Sequence, residues 1–205
     1  MKRKTFDLIM TAGGGVLVVV LLAAGALGIW GYSFANSNVH NQLAEQQITF
    51  PSAAAFAHPV AGGEITQSMI PSVSKYAGQQ LLTGQQAQVY ADDFIAVHIN
   101  EIGGGLSYAQ LSAQAMALPK GSPAYIAAEA KVQTVFQGTT LRGLLLEAYA
   151  FWTFGQIALY ASIASFALAG LMLVLMLFGL VHLRRVPADA QFPAVRASKM
   201  IPVPA

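Results

Sequence analysis

An all-α membrane fold is what this sequence predicts: two antiparallel transmembrane helices with an extracytoplasmic helical domain between them, the second transmembrane helix extending outward as a stalk. Three observations predict it. Residues 148–181 contain no charged side chain, and only a bilayer or a large core makes so long a run stable. A second apolar run, residues 8–32, lies near the N-terminus. Between the two, no alternating β-branched run bounded by hairpin turns occurs, so nothing predicts a sheet.

Composition points the same way. Of the 205 residues, 55% are hydrophobic and 10% charged, against the ~25% charged of a soluble domain. The net charge of +2 conceals an asymmetry. Lys2, Arg3 and Lys4 precede the first apolar run, and Arg184, Arg185, Arg196 and Lys199 follow the second. The region between has four basic side chains (Lys75, Lys120, Lys131, Arg142) against seven acidic ones (Glu45, Glu64, Asp92, Asp93, Glu101, Glu129, Glu147). Positive flanks stay cytoplasmic, which predicts a cell-membrane protein with both termini inside and residues 34–157 extracytoplasmic. The basic balance is thus a topology signal and gives no reason to expect nucleic-acid binding. Cysteine is absent, which removes disulfides, thiolate metal sites and cysteine nucleophiles together.

Taken in order, residues 1–7 form a cytoplasmic N-terminus and residues 8–33 transmembrane helix 1, with Trp30, Tyr32 and Phe34 suited to the outer interface. Ser33-Phe34-Ala35 resembles a small-x-small cleavage site. A signal-peptide apolar region is usually ~7–15 residues, so a retained anchor is expected. Residues 36–50 read as a polar juxtamembrane helix capped at Asn36 or Asn38, and residues 51–63 as a loop bracketed by Pro and Gly.

The extracytoplasmic helical domain is placed at residues 34–143. A short helix is expected over residues 72–82, and a longer one from Gly84. In the latter, Val89, Phe94, Val97 and Ile102, with Tyr90 and Ile95 nearby, recur at helical spacing and leave Asp92, Asp93 and Asn100 outward. The triplet Gly103-Gly104-Gly105 ends it. Ser107 caps a helix that stops at Pro119, and Ser122 with Pro123 opens another that Gly138 closes. Thr139 or Thr140 then caps the final helix. Its uncharged run would be roughly 50 Å long against a hydrocarbon core of ~30 Å. Residues 144–157 are therefore assigned to a membrane-proximal stalk, 158–183 to transmembrane helix 2, and 184–205, with four prolines, to a disordered cytoplasmic tail.

Antiparallel spans bring opposite ends to one depth, so Ala24, Gly25 and Gly28 should meet the row Ala161, Ser165 and Ala169. Small residues let membrane helices approach closely, and the same rows could instead drive self-association. On the stalk, the aromatic side chains Tyr149, Trp152 and Phe154 are the candidate partner-binding residues.

Chemistry has little to stand on. Neither span carries an ionisable side chain in its interior, as proton relays and voltage sensors require. His98 and Glu101 share a helix face at i, i+3, as in metal sites of helical bundles. The other histidines of the region are His40 and His58, one juxtamembrane and one in a loop. A solvated or hydrogen-bonded His98 is the simpler reading, and no cofactor is expected. There is no GxSxG motif and no strand to carry one. Gly103-Gly104-Gly105 follows a helix, which fits a helix stop better than a phosphate cradle. Tyr76, Tyr90, Tyr108 and Tyr125 could line a ligand cleft, but core and interface packing accounts for them.

Through YAGQQLLTGQQAQVYADDFIAVHINEIGGGLSYAQLSAQAMALP (residues 76–119) and VQTVFQGTTLRGLLLEAYAFWTFGQIALYA (residues 132–161), the chain resembles a family of uncharacterised two-span actinobacterial membrane proteins. The resemblance implies two spans around an outer helical region and carries no activity over onto residues. Some members are described as aromatic ring-opening dioxygenases. A non-haem iron site needs histidine and carboxylate ligands converging with open positions, and here His98 has one good partner. The function expected is therefore that of a non-enzymatic envelope protein whose outer helical domain binds a partner protein, lipid or envelope component. A self-associating channel or transport accessory, and a metal-dependent enzyme or sensor using His98 and Glu101, are the alternatives.

Overall fold

A computed structural model describes residues 2–59, 65–187 and 190. The element order is α1 (Arg3–Gln46), α2 (Ala53–Ala57), α3 (Ile70–Val73) running into a 3₁₀ turn (Ser74–Tyr76), α4 (Gly84–Val89), a π-helical turn (Tyr90–Ile95), α5 (Ala96–Gly103), α6 (Tyr108–Met116) and α7 (Pro123–Arg185). The fold is all-α, with two long apolar helices flanking a helical domain. Helices α1 and α7 are long and apolar enough to cross a membrane. Most of the predicted tail, residues 188–189 and 191–205, lies outside the described residues, as do residues 60–64, which take in the end of the predicted loop.

The chain divides into two compact units, one of Met1–Ile29 with Tyr160–Ala205, the other Trp30–Leu159. In the first, α1 and α7 pair antiparallel. A Cβ built on Gly179 would meet Thr11, one on Gly14 would meet Met176, and one on Gly25 would lie 2.7 Å from the Phe166 ring. The inward positions of α7, Ser162, Ser165, Ala169, Met172, Met176, Gly179 and Leu183, alternate in steps of three and four. That average of 3.5 residues is the period of a left-handed helix pair. At one end, the Asp7 carboxylate lies 3.7 Å from His182 Nε2 and 4.0 Å from Arg3 Nε. Thr11 is buried, and its hydroxyl donates to the Asp7 carbonyl at 2.7 Å, so its burial leaves no donor unmatched.

The second unit is the helical domain. Its core gathers Phe50, Met69, Val73, Leu81, Ala87, Ala91 and Phe94 around Val39 and Leu43 of α1 and Leu145 of α7. A satellite core of Leu111, Ala115, Val132 and Val135 holds α6 against the first turns of α7. Residues 48–51 run antiparallel to 78–81: Leu81 N–H donates to Ile48 O, Phe50 N–H to Gln79 O and Gly78 N–H to Pro51 O, each at 2.9 Å. This clip makes one isolated β-bridge, Thr49 with Gln80, too short to change the fold class.

Several boundaries depart from expectation, each for a packing reason. Residues 36–46 belong to α1 itself, and Asn38 accepts from Gln42 one turn on instead of capping a new helix. Gln47, at φ +53°, ends α1 by entering the left-handed region. The short helix lies at residues 70–76 rather than 72–82, and α2 forms within the predicted loop on a Ser52 cap. Gly138 does not close a helix. It lies inside α7, where Ile99 packs against its bare backbone, and Thr140 bonds back to Phe136 O at 2.9 Å instead of capping. Ile102 is exposed and Ala91 fully buried, because the π turn adds a residue and rotates the buried face. The capping boxes at Thr83 with Gln86 and Ser107 with Gln110, the left-handed stop at Gly104 and the Ser122 cap on Tyr125 N–H lie where the turn residues place them.

Candidate functional site

Of the two predicted metal ligands, His98 ends a packed aromatic row. Tyr76, Phe50, Tyr90, Phe94 and His98 follow one another with ring centroids 4.5–5.2 Å apart. His98 Nδ1 is 2.8 Å from the Phe94 carbonyl. A carbonyl only accepts, so this nitrogen carries the proton. Among the described residues no three His, Cys, Asp or Glu side chains gather as metal ligands would, and Glu101 is exposed. His98 is a half-buried, hydrogen-bonded histidine that adds a fifth ring to the row.

Polar side chains within the domain are mostly paired, although Arg142 Nε is buried without a hydrogen-bond partner. Gln86 is buried. Its Oε1 accepts from Leu82 N–H at 2.8 Å and Thr83 N–H at 3.0 Å, while Nε2 donates to Gln79 Oε1 at 3.1 Å. Arg142 of α7 donates to Asp92 Oδ1 on the π turn at 2.7 Å, a contact linking distant parts of the chain that no local spacing announces.

The three stalk aromatics separate on α7. Trp152 faces inward with Leu145 and Ala148 and packs on Gly84, whose absent side chain leaves the space. Tyr149 is half-buried and stacks on Trp152 at 6.2 Å. Only Phe154 points fully out, 68% exposed. The exposed aromatics form a different group: Trp30 stacks on Phe34 at 5.7 Å, and Phe34 meets Phe151 edge-on at 6.3 Å. Sequence reasoning had Trp30 and Phe34 as interface residues but could not foresee Phe151 joining them across two helices.

The small residues also divide. Gly25 and Ala169 are buried and Gly28 and Ser165 half-buried, whereas Ala24 and Ala161 are exposed. The three-then-four step puts Ser162 in the seam in place of Ala161, a residue the uniform four-residue row did not include.

Beyond the Phe34–Phe151 contact, α1 and α7 line a groove of about 480 Å³. Its floor and walls are Val39, Leu43, Leu144, Leu145, Ala148 and Phe151, and Asn38, Gln42, Gln46 and Glu147 supply its polar lining. Glu147 is the sole charged residue of that lining. A groove of this size and polarity has room for an apolar molecule with a small polar end.

These features define a class: a membrane-associated, all-helical protein with two apolar helices and a helical domain between them. No family model, curated protein or solved structure matches the chain.

Proposed function

We propose that the chain is a non-enzymatic envelope protein of the cell membrane, with both termini cytoplasmic and residues 34–157 outside, whose helical domain binds a lipid, protein or other envelope component at the membrane surface. The observation that carries this reading is the contrast inside the domain. Its core is filled by apolar and aromatic side chains, Met69, Val73 and Leu81 with no exposure, while Trp30, Phe34, Leu144, Phe151 and Phe154 are all exposed. Exposed aromatic groups beside a membrane span suit the headgroup region, and a contiguous apolar surface is an interaction surface. The orientation rests on the basic flanks.

The absence of cysteine makes the topology directly testable. Lys120→Cys should react with a membrane-impermeant maleimide in intact cells, and Arg184→Cys only after permeabilisation; the reverse pattern would invert the protein. A photo-crosslinking side chain at Phe154 should give discrete adducts absent when it replaces Gln137 on the polar face. Equal or no labelling at the two positions would oppose the docking role. Self-association through the small-residue rows is less favoured, because Gly25 and Ala169 are occupied within the chain's own helix pair.

A further inference from the structure

We propose that the groove between α1 and α7 in the helical domain holds one acyl chain of a phospholipid with an ammonium headgroup, of the phosphatidylethanolamine type. The proposal rests on the reading that this domain lies at the outer membrane surface, and names what it binds there.

Size comes first. The groove runs beside Asn38 to Gln46 on α1, about 12 Å of helix, and its volume of about 480 Å³ falls within the ~300–1,000 Å³ of small-molecule sites. A stable protein partner needs ~800 Å² on each side, more than this slot presents. The occupant is therefore a small molecule or a single chain.

Access comes second. Phe151 lines the groove and also touches Phe34, which stacks on Trp30. One end of the groove thus opens into the exposed aromatic group that suits the membrane–water interface. At that depth the most abundant apolar molecules are lipids.

Charge comes third. The floor of Val39, Leu43 and Leu145 is apolar, and the lining includes no Lys or Arg to clamp a phosphate. Its one charged side chain is the Glu147 carboxylate, beside the amides of Asn38, Gln42 and Gln46. A carboxylate with amide neighbours favours an ammonium group and disfavours a headgroup of net negative charge.

The test uses the full chain in nanodiscs of mixed phosphatidylethanolamine and phosphatidylglycerol, with a diazirine on the acyl chain of either lipid and the adducts mapped by mass spectrometry. We expect the phosphatidylethanolamine probe to label residues 38–46 and 141–151 several-fold more than the phosphatidylglycerol probe, while both label the two spans equally. Leu144→Trp, on the exposed wall, and Ala148→Trp, on the floor, should each remove groove labelling and leave span labelling intact, with helicity checked by circular dichroism. Glu147→Gln should bring the two probes towards equal labelling. Labelling confined to the spans, or groove labelling indifferent to headgroup and to both tryptophan variants, would overturn the proposal, as would dimeric crosslinks from Leu144→Cys that exclude lipid. Lack of groove labelling with Lys120→Cys accessible outside sinks this inference alone. An inaccessible Lys120→Cys sinks the topology beneath it.

Discussion

A side chain added at position 84 would occupy the space of Trp152, since a Cβ there would overlap the Trp152 side chain. Gly84→Leu should therefore displace Trp152 and lower the stability of the domain by about 1–3 kcal/mol, read from thermal unfolding of the purified protein in detergent. Gln47 has the opposite character. It holds a left-handed conformation at φ +53° that glycine adopts without strain. Gln47→Gly should raise stability or leave it unchanged, within about 1 kcal/mol; a clear loss would mean that the Gln47 side chain does more than end the helix. Gln86 gathers two backbone donors on one buried oxygen, so Gln86→Leu leaves Leu82 and Thr83 N–H unmatched. That variant should cost about 1–3 kcal/mol, and the residues around the clip should exchange their amide hydrogens faster.

At the scale of elements, α7 departs most from its local signals. Gly138, Thr139 and Thr140 look like a stop and a start, yet α7 passes through them without a break. A glycine ends a helix when its backbone turns left-handed, as Gly104 does at φ +62°. It continues a helix when a neighbour needs its bare backbone, as Ile99 does at Gly138. The two cases share one letter and differ only in what packs against them. Gly155 is another packing glycine: a Cβ there would lie 2.9 Å from Ala35 Cβ. Gly155→Leu should push α1 and α7 apart within the domain and destabilise it by about 1–3 kcal/mol, whereas Gly143→Leu, with nothing within 4 Å, should be tolerated. Comparable unfolding midpoints for the two variants would contradict the close packing at Gly155. The π turn is the other element that pattern alone misplaces. Its extra residue buries Ala91 and exposes Ile102, and it carries Asp92, which pairs with Arg142.

For the molecule as a whole, the antiparallel pairing of the spans makes a geometric prediction. A Cβ on Gly179 would lie 3.6 Å from Thr11 Cβ, within the ~3.5–4.5 Å of a disulfide, and the chain has no other cysteine to compete. Thr11→Cys with Gly179→Cys should crosslink within one chain on mild oxidation, and Gly13→Cys with Gly179→Cys should not. Crosslinking between chains alone would show that the pairing is intermolecular. By itself the sequence determined the all-α class, the two apolar helices and the helical domain between them, because charge depletion, hydropathy and capping residues act locally and can be read one segment at a time. It also determined three helix starts, at Gly84, after Ser107 and after Ser122, since a cap is satisfied by the next turn of its own chain. Only the tertiary structure decided which side of each helix is used. Trp152 turned into the core, Ser162 replaced Ala161 in the seam, and Phe151 joined Phe34 at the mouth of the groove. Helices that are apolar all round give no local sign of their buried face, and only the partner helix selects it, through the 3.5-residue period that two helices share when they pack.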